Sequence, residues 1–175
     1  MATGPLDRLA AMTAGAPDTV RAAARRLRHT TVAMVGLGYR VPTTDERSWL
    51  YFPQPEVPFY RATNFSKYAP ANVPGADTNA FSAWMTETSM LPGTRLDVSR
   101  LICACDQALR RHGLVPEHAP SASAHLELIE YAYPVPTLDR DAALAAVVPW
   151  MEAAGSIHGA GSGPGGTRSA TWTTP

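Results

Sequence analysis

The stretch that decides the fold is Trp49-Leu-Tyr-Phe-Pro-Gln-Pro-Glu-Val-Pro-Phe-Tyr-Arg-Ala-Thr-Asn-Phe-Ser-Lys-Tyr68. Its aromatic residues on either side of a proline-rich turn predict a hairpin with strands at Trp49–Phe52 and Phe59–Phe65. Tyr51 and Arg61 lie equally far from the middle of that turn, so a symmetric hairpin would make them cross-strand neighbours. The stretch therefore predicts an arginine set among tyrosines on a sheet.

Hydrophobic periodicity outside the hairpin predicts three more strands and three helices. The predicted strands are His29–Tyr39, Ala80–Thr88 and Ala124–Tyr133, and the predicted helices run from Asp18 to about Arg28, from Asp97 to a stop at Gly113, and onward from Thr137. Several strands follow one another without an intervening helix, which is typical of an antiparallel sheet. The sequence therefore predicts an α+β fold, a mainly antiparallel sheet with flanking helices.

Composition excludes several classes of protein. Lys and Arg together number 15, as do Asp and Glu, so the formal net charge is zero and nothing favours a nucleic-acid or membrane-surface partner. Cys103 and Cys105 lie two apart on a predicted helix and cannot bridge each other there. The five histidines are scattered, so no metal site is predicted. The chain has no apolar run of transmembrane length and no signal-peptide segment, which favours a cytoplasmic protein.

Two short motifs are interpreted as structural. Gly36-Leu-Gly38 follows a strand, as in a dinucleotide-binding turn, but Val41 stands at the third glycine position and Pro42 follows where a helix should begin. These glycines therefore indicate a bulge or close strand packing. The basic run at residues 21–29 has no interleaved aromatic residue, which favours a solvated helix face.

Arg61 carries the sharpest functional hypothesis in the sequence. An arginine is rarely buried without a partner, and a guanidinium beside the hydroxyls of Tyr51 and Tyr68 is a good receptor for a phosphate or diphosphate. The alternative is that Arg61 pairs with a carboxylate, such as Glu56 or Glu87, while the tyrosines fill the core. An Arg61 locked onto a carboxylate would rule out the anion site.

At these residues the sequence resembles UDP-galactopyranose mutase, in its eukaryotic-type branch and that branch's bacterial relatives. The family belongs to the FAD-dependent, amine-oxidase-like flavoproteins. The resemblance rests on the motif W-L-Y-F-P-x-x-x-x-P-F-Y-R-A-T-x-F-S-x-Y-x-P, preceded by V-G-L-G-Y-R and followed by Y-P-V-P-T-L-D-R-D-A-A-L. It extends from about Pro5 to Gly155.

The resemblance implies an isomerase that interconverts UDP-galactopyranose and UDP-galactofuranose. In this family reduced FAD attacks the anomeric carbon and displaces UDP, and the resemblance suggests NAD(P)H as the reductant. The site residues that it implies are Arg61 as the arginine on the diphosphate, Tyr51, Tyr68 and Tyr133 as hydroxyl donors to the same phosphates, and Trp49 on the sugar side.

The sequence also departs from the family pattern. The glycine fingerprint that holds FAD is absent, so no cofactor-binding or catalytic residue is assigned, and we expect the substrate-side part of a larger, Rossmann-like flavoprotein, inactive alone. Residues 1–29 are predicted to lead from a missing FAD-binding domain, 30–155 to form the substrate domain, and 156–175 to be a disordered tail. One permitted encoding of this tail spells the family's flavin-contacting motif out of frame, which suggests a frameshift that the gene sequence would test.

Three functional hypotheses stay open. The first is a mutase part that needs a separately encoded FAD-binding polypeptide, and a neighbouring reading frame with a GxGxxG unit would support it. The second is part of an amine-oxidase-like or protoporphyrinogen-oxidase-like FAD-dependent oxidoreductase, whose full-length homologues would ignore UDP-sugars. The third is a non-catalytic nucleotide-sugar binder or a gene remnant, which would purify without a yellow chromophore.

Overall fold

A computed structural model describes residues 4–155 of the chain. Two compact units divide them: a sheet unit, residues 31–130, and a helical unit made of residues 4–30 and 131–155. The predicted tail at 156–175, with its hypothesised frameshift, lies outside the described residues.

Five strands form one sheet in the order β2-β3-β4-β1-β5, and neighbouring strands are antiparallel. The strands are β1 (Arg28–Tyr39), β2 (Trp49–Tyr51), β3 (Arg61–Asn64), β4 (Ser82–Met90) and β5 (Ser121–Val135). The four helices are α1 (Leu6–Met12), α2 (Asp18–Ala24), α3 (Val98–Arg111) and α4 (Arg140–Ala153). The predicted α+β fold with a mainly antiparallel sheet is confirmed.

Strand alternation divides the sheet unit into a packed face and an open face. On the packed face, buried side chains of β1 and β4 lie against α3; they include Val35, Leu37, Tyr39 and Trp84 from the strands and Cys105, Ala108 and Leu109 from the helix. On the open face, Met34, Gly36 and Met85 are only half-buried. This open face also carries Arg61, which is therefore directed away from α3.

Close strand packing explains one of the two glycines in β1. A Cβ atom on Gly38 would lie 2.6 Å from the Oγ atom of Ser123 on β5, whereas one on Gly36 would meet nothing within 4 Å. Neither glycine stands at a turn that opens a helix, because β1 runs on to Tyr39. The packing interpretation of Gly38 is confirmed.

The helix α3 begins and ends as its sequence predicts. Asp97 caps it by accepting a hydrogen bond from the backbone N–H of Arg100 at 3.0 Å. Gly113, with a φ of 68°, follows the last turn, in the left-handed conformation that glycine adopts at little cost.

The helical unit departs further from the sequence predictions. Its α2 ends at Ala24 because the chain tightens there through hydrogen bonds from Arg26 and Leu27 to the carbonyls three residues earlier, and Arg28 already belongs to β1. The predicted extension to Arg28 was therefore wrong. Asp18 is the first residue of α2, after Pro17 at the cap position, and α4 starts at Arg140. The short helix α1 was not predicted.

Small side chains and one methionine build the core of the helical unit. Ala10, Val20, Ala23, Ala24, Val147 and Met151 are buried there, drawn from α1, α2 and α4. Across residues 4–155, every helix is too short or too polar to cross a lipid bilayer.

Candidate functional site

The hairpin of β2 and β3, together with β4, brings three residues into one row across three strands. Tyr51 on β2 stands opposite Arg61 on β3, and Arg61 stands opposite Glu87 on β4. The backbone N–H of Tyr60 also donates to the carbonyl of Glu87, at 3.0 Å. The predicted cross-strand pairing of Tyr51 with Arg61 is confirmed, and the third strand adds a carboxylate to it.

Arg61 forms a bidentate ion pair with Glu87. Its Nε donates to Oε1 of Glu87 at 2.7 Å, and its Nη2 donates to Oε2 at 2.6 Å. The Arg61 side chain is 17% exposed and Glu87 is 3% exposed. Two charge-assisted hydrogen bonds of this length are among the stronger contacts in proteins. Of the two carboxylates named as alternative partners, the structure selects Glu87, and this contact is evidence against the anion site predicted from the sequence.

Aromatic rings surround the same guanidinium. Its central carbon lies 4.7 Å from the centroid of the Trp49 ring and 5.7 Å from that of Tyr60. Trp49 stacks on Tyr51 with 6.1 Å between centroids. A cation over an aromatic face is attracted by the ring quadrupole, so Trp49 helps to hold the guanidinium in place.

The alternative interpretation placed the tyrosines in the core, but Tyr51 and Tyr68 lie at the surface. Trp49, Tyr51 and Tyr68 are 52%, 65% and 57% exposed. Large aromatic side chains at a surface are typical of sites that bind a partner or a ligand. The ion pair of the alternative is thus present, but the exposed aromatic residues beside it favour a binding surface.

The remaining two predicted residues lie in other surroundings. Tyr68 follows a short turn after β3, and its ring lies against Phe65 with 5.8 Å between centroids. Tyr133 lies on β5 in the helical unit, half-exposed, beside a small cavity that His29 and Tyr131 also line. The cluster that the structure brings together is Trp49, Tyr51 and Arg61, and the roles of Tyr68 and Tyr133 stay predictions.

Sequence reasoning did not assign a site role to Glu87 or Tyr60. Tyr60 donates its hydroxyl hydrogen bond to Oε2 of Glu87 at 2.6 Å. The available signal was an acidic residue inside an otherwise uncharged strand, Ser82–Met90, next to an arginine already inferred to need a partner. Which carboxylate that partner is depends on which strand pairs with β3.

A cavity of about 370 Å³ opens on the same face of the sheet unit. Its lining is mainly apolar and includes Met34, Met85 and Phe65, with Asn72 and Ser123 among its polar residues. A concave, apolar site with few polar groups suits a small organic molecule.

The described residues do not fit the dinucleotide cofactor that the resemblance implies. FAD is held by a glycine-rich turn that leads from a strand into a helix, whose N-terminus receives the pyrophosphate. Gly36 and Gly38 lie inside β1, and the next element after β1 is another strand. No step of chemistry can therefore be derived through FAD from these residues.

Comparison with known proteins finds a solved structure with a similar fold. No family model matches the chain. Among solved structures, it is similar to the crystal structure of reduced UDP-galactopyranose mutase, with a TM-score of 0.79 and 29% sequence identity. The match covers 90% of this chain and 34% of that protein's chain, so this chain spans about a third of the length of the protein it matches. The chain therefore has a mutase-like α+β fold.

Proposed function

We propose that this chain forms the substrate-side part of a protein similar to UDP-galactopyranose mutase and binds a nucleotide sugar through its diphosphate. The observation that carries this proposal is the cluster of Trp49, Tyr51 and Arg61, which presents two exposed aromatic rings around one arginine. It stands in a chain with a mutase-like fold.

The chemistry of the cluster supports an anionic ligand with a flat or ring-shaped part. Arginine carries five N–H donors in a planar fork, of which Glu87 engages one on Nε and one on Nη2, and a tyrosine hydroxyl can add a further donor. Glu87 cancels much of the positive charge of Arg61, so affinity would rest on directional hydrogen bonds and ring contacts more than on net charge.

The reaction proposed for the complete system is interconversion of UDP-galactopyranose and UDP-galactofuranose. That reaction would need FAD, which a separately encoded polypeptide would hold. The described residues supply the substrate contacts alone. We therefore expect no turnover by this chain by itself, with or without NAD(P)H.

A calorimetric titration with UDP tests the proposal. We expect binding by the wild type and a loss of affinity of roughly tenfold or more in Arg61→Lys, since lysine keeps the charge but lacks the fork. Uridine, which lacks the phosphates, should bind more weakly than UDP to the wild type.

Arg47→Lys is the matched control. Arg47 also forms a bidentate pair, with Asp45 at 2.9 and 2.6 Å, but it stands outside the cluster. Its substitution should leave UDP affinity unchanged. A wild-type chain that is folded by circular dichroism and does not bind UDP would refute the proposed function.

A further inference from the structure

We propose that Glu87 is the positioning residue of Arg61, with Tyr60 holding Glu87 in turn. The consequence for UDP rests on the proposed function, whereas the positioning itself does not. In this arrangement the carboxylate does not contact the ligand. It holds the guanidinium in one orientation against Trp49 before a ligand arrives.

The hydrogen bonds of Glu87 support this role. Oε1 accepts from Nε of Arg61, and Oε2 accepts from both Nη2 of Arg61 and the hydroxyl of Tyr60. Both oxygens are therefore engaged in a nearly solvent-free setting. A carboxylate with several short, charge-assisted hydrogen bonds is fixed in direction as well as in charge.

The sheet fixes the backbone from which these side chains project. Glu87 lies on β4, between β3 and β1, opposite Arg61 on one side and Met34 on the other. The carboxylate thus rests on a strand paired along both edges. Arginine, in contrast, carries a long side chain with about 2 kcal/mol of rotamer entropy. If Glu87 holds the Arg61 side chain in place before the ligand binds, less side-chain entropy is lost on binding.

The competing interpretation is that Glu87 occupies the place of the ligand as a rival anion. That interpretation predicts the opposite sign, because removing the carboxylate would then release Arg61 and strengthen the binding of a phosphate. The setting of Glu87 favours positioning, because displacing a buried carboxylate would break its three hydrogen bonds to Arg61 and Tyr60.

Side-chain NMR of the free chain tests the positioning without any ligand. In the wild type we expect a distinct, slowly exchanging Nε–H signal for Arg61, assigned by its loss in Arg61→Lys. In Glu87→Ala and Glu87→Gln this signal should broaden or move toward that of a solvent-exposed arginine. Asp45→Asn is the matched control and should affect the Arg47 signal alone. An Arg61 signal unchanged by both Glu87 variants would overturn the inference.

The UDP titration then tests the consequence. We expect Glu87→Ala to weaken UDP binding about tenfold and Glu87→Gln to weaken it less, since the amide oxygen keeps one acceptor for Arg61 or Tyr60. Tyr60→Phe should weaken it by a smaller factor. Tighter binding by either Glu87 variant would show a rival anion and overturn the inference.

Failure of the proposed function and failure of the positioning inference would give different results. If the folded wild type does not bind UDP, the proposed function fails, and the NMR result alone decides whether Glu87 positions Arg61. If Glu87→Ala does not fold, Glu87→Gln carries both measurements, because it keeps the size and shape of the side chain. Positioning is supported if Glu87→Gln stays closer to the wild type than Glu87→Ala does, both in the Arg61 Nε–H signal and in UDP affinity.

Discussion

At the scale of residues, the ion pair between half-buried Arg61 and buried Glu87 is the most consequential contact in the sheet unit. Removing two charges from water is costly, and their mutual attraction repays that cost only with good geometry. Here Arg61 donates two hydrogen bonds to Glu87, and Tyr60 adds a third donor. The main effect of the pair is therefore to fix the positions of the two side chains, and its net contribution to the free energy of unfolding is small.

This view predicts strongly unequal effects of single and double substitutions. Arg61→Ala should destabilise the sheet unit by about 3–5 kcal/mol, because it leaves Glu87 buried and charged without its cation. The double variant Arg61→Met with Glu87→Leu should lie within about 1 kcal/mol of the wild type, since hydrophobic residues of similar size replace both charges.

Urea unfolding followed by circular dichroism measures both free energies. The exposed control is Lys67→Ala, which removes a pair with Glu46 and should cost less than about 1 kcal/mol. A double variant as unstable as Arg61→Ala would show that the pair contributes stability in its own right.

At the scale of elements, a polar cluster fastens α3 to β1 within the sheet unit. The Tyr39 hydroxyl donates to Oδ1 of Asp106 at 2.7 Å, and Arg110 donates to both oxygens of Asp106 at 2.9 and 3.0 Å. Burial acts to raise the pKa of Asp106, but the hydrogen bonds from Arg110 and Tyr39 outweigh it, so this pKa is lowered. Arg110 also donates to the carbonyls of Pro116 and Glu117, which ties the following loop to the helix.

The same cluster predicts an alkaline loss of stability. Burial first, and then the hydrogen bond to Asp106, raise the pKa of Tyr39 well above its ordinary value. Above about pH 10 the unfolded chain loses this proton and the folded chain keeps it. Stability from Tyr39 is therefore complete below about pH 10 and falls by about 1.4 kcal/mol per pH unit above it.

Tyr39→Phe isolates this effect because it removes the titrating group and keeps the ring. Urea unfolding between pH 8 and 11 should show a shallower alkaline decline in the variant, although the variant is less stable at neutral pH by about 1 kcal/mol for the lost hydrogen bond. Parallel declines in the two proteins would contradict the prediction.

At the scale of the whole molecule, the two units have separate cores. The core of the sheet unit is drawn from residues between Val35 and Ala119, and that of the helical unit from α1, α2 and α4. Regions with their own cores can open independently, and native-state hydrogen exchange reports each opening.

Matched core truncations test this independence. Leu109→Ala should lower the protection of amides in β1 and β4 by about 2–5 kcal/mol and leave α2 little changed, whereas Met151→Ala should do the reverse. Both side chains are fully buried, so the two substitutions are comparable in size and setting. Equal loss of protection in both units from either variant would show a single cooperative unit instead.

The sequence by itself determined the local structure around the hairpin and α3. Alternation along the strands and the symmetry of the proline-rich turn placed Tyr51 opposite Arg61, and Asp97 marked the start of α3. These features depend on neighbours within a few residues, which the pattern of side chains records directly. The end of α2 was misplaced because the demands of β1 override the helical pattern there.

Only the tertiary structure decided which carboxylate meets Arg61. Glu56 is nearer in the sequence, yet Glu87, 26 residues away, is the partner because β4 pairs with β3 in that register. The choice of pairing strand depends on which faces can be buried together, here against α3, and no local pattern encodes that. Long-range strand pairing therefore decides both the partner of Arg61 and the direction in which its guanidinium points.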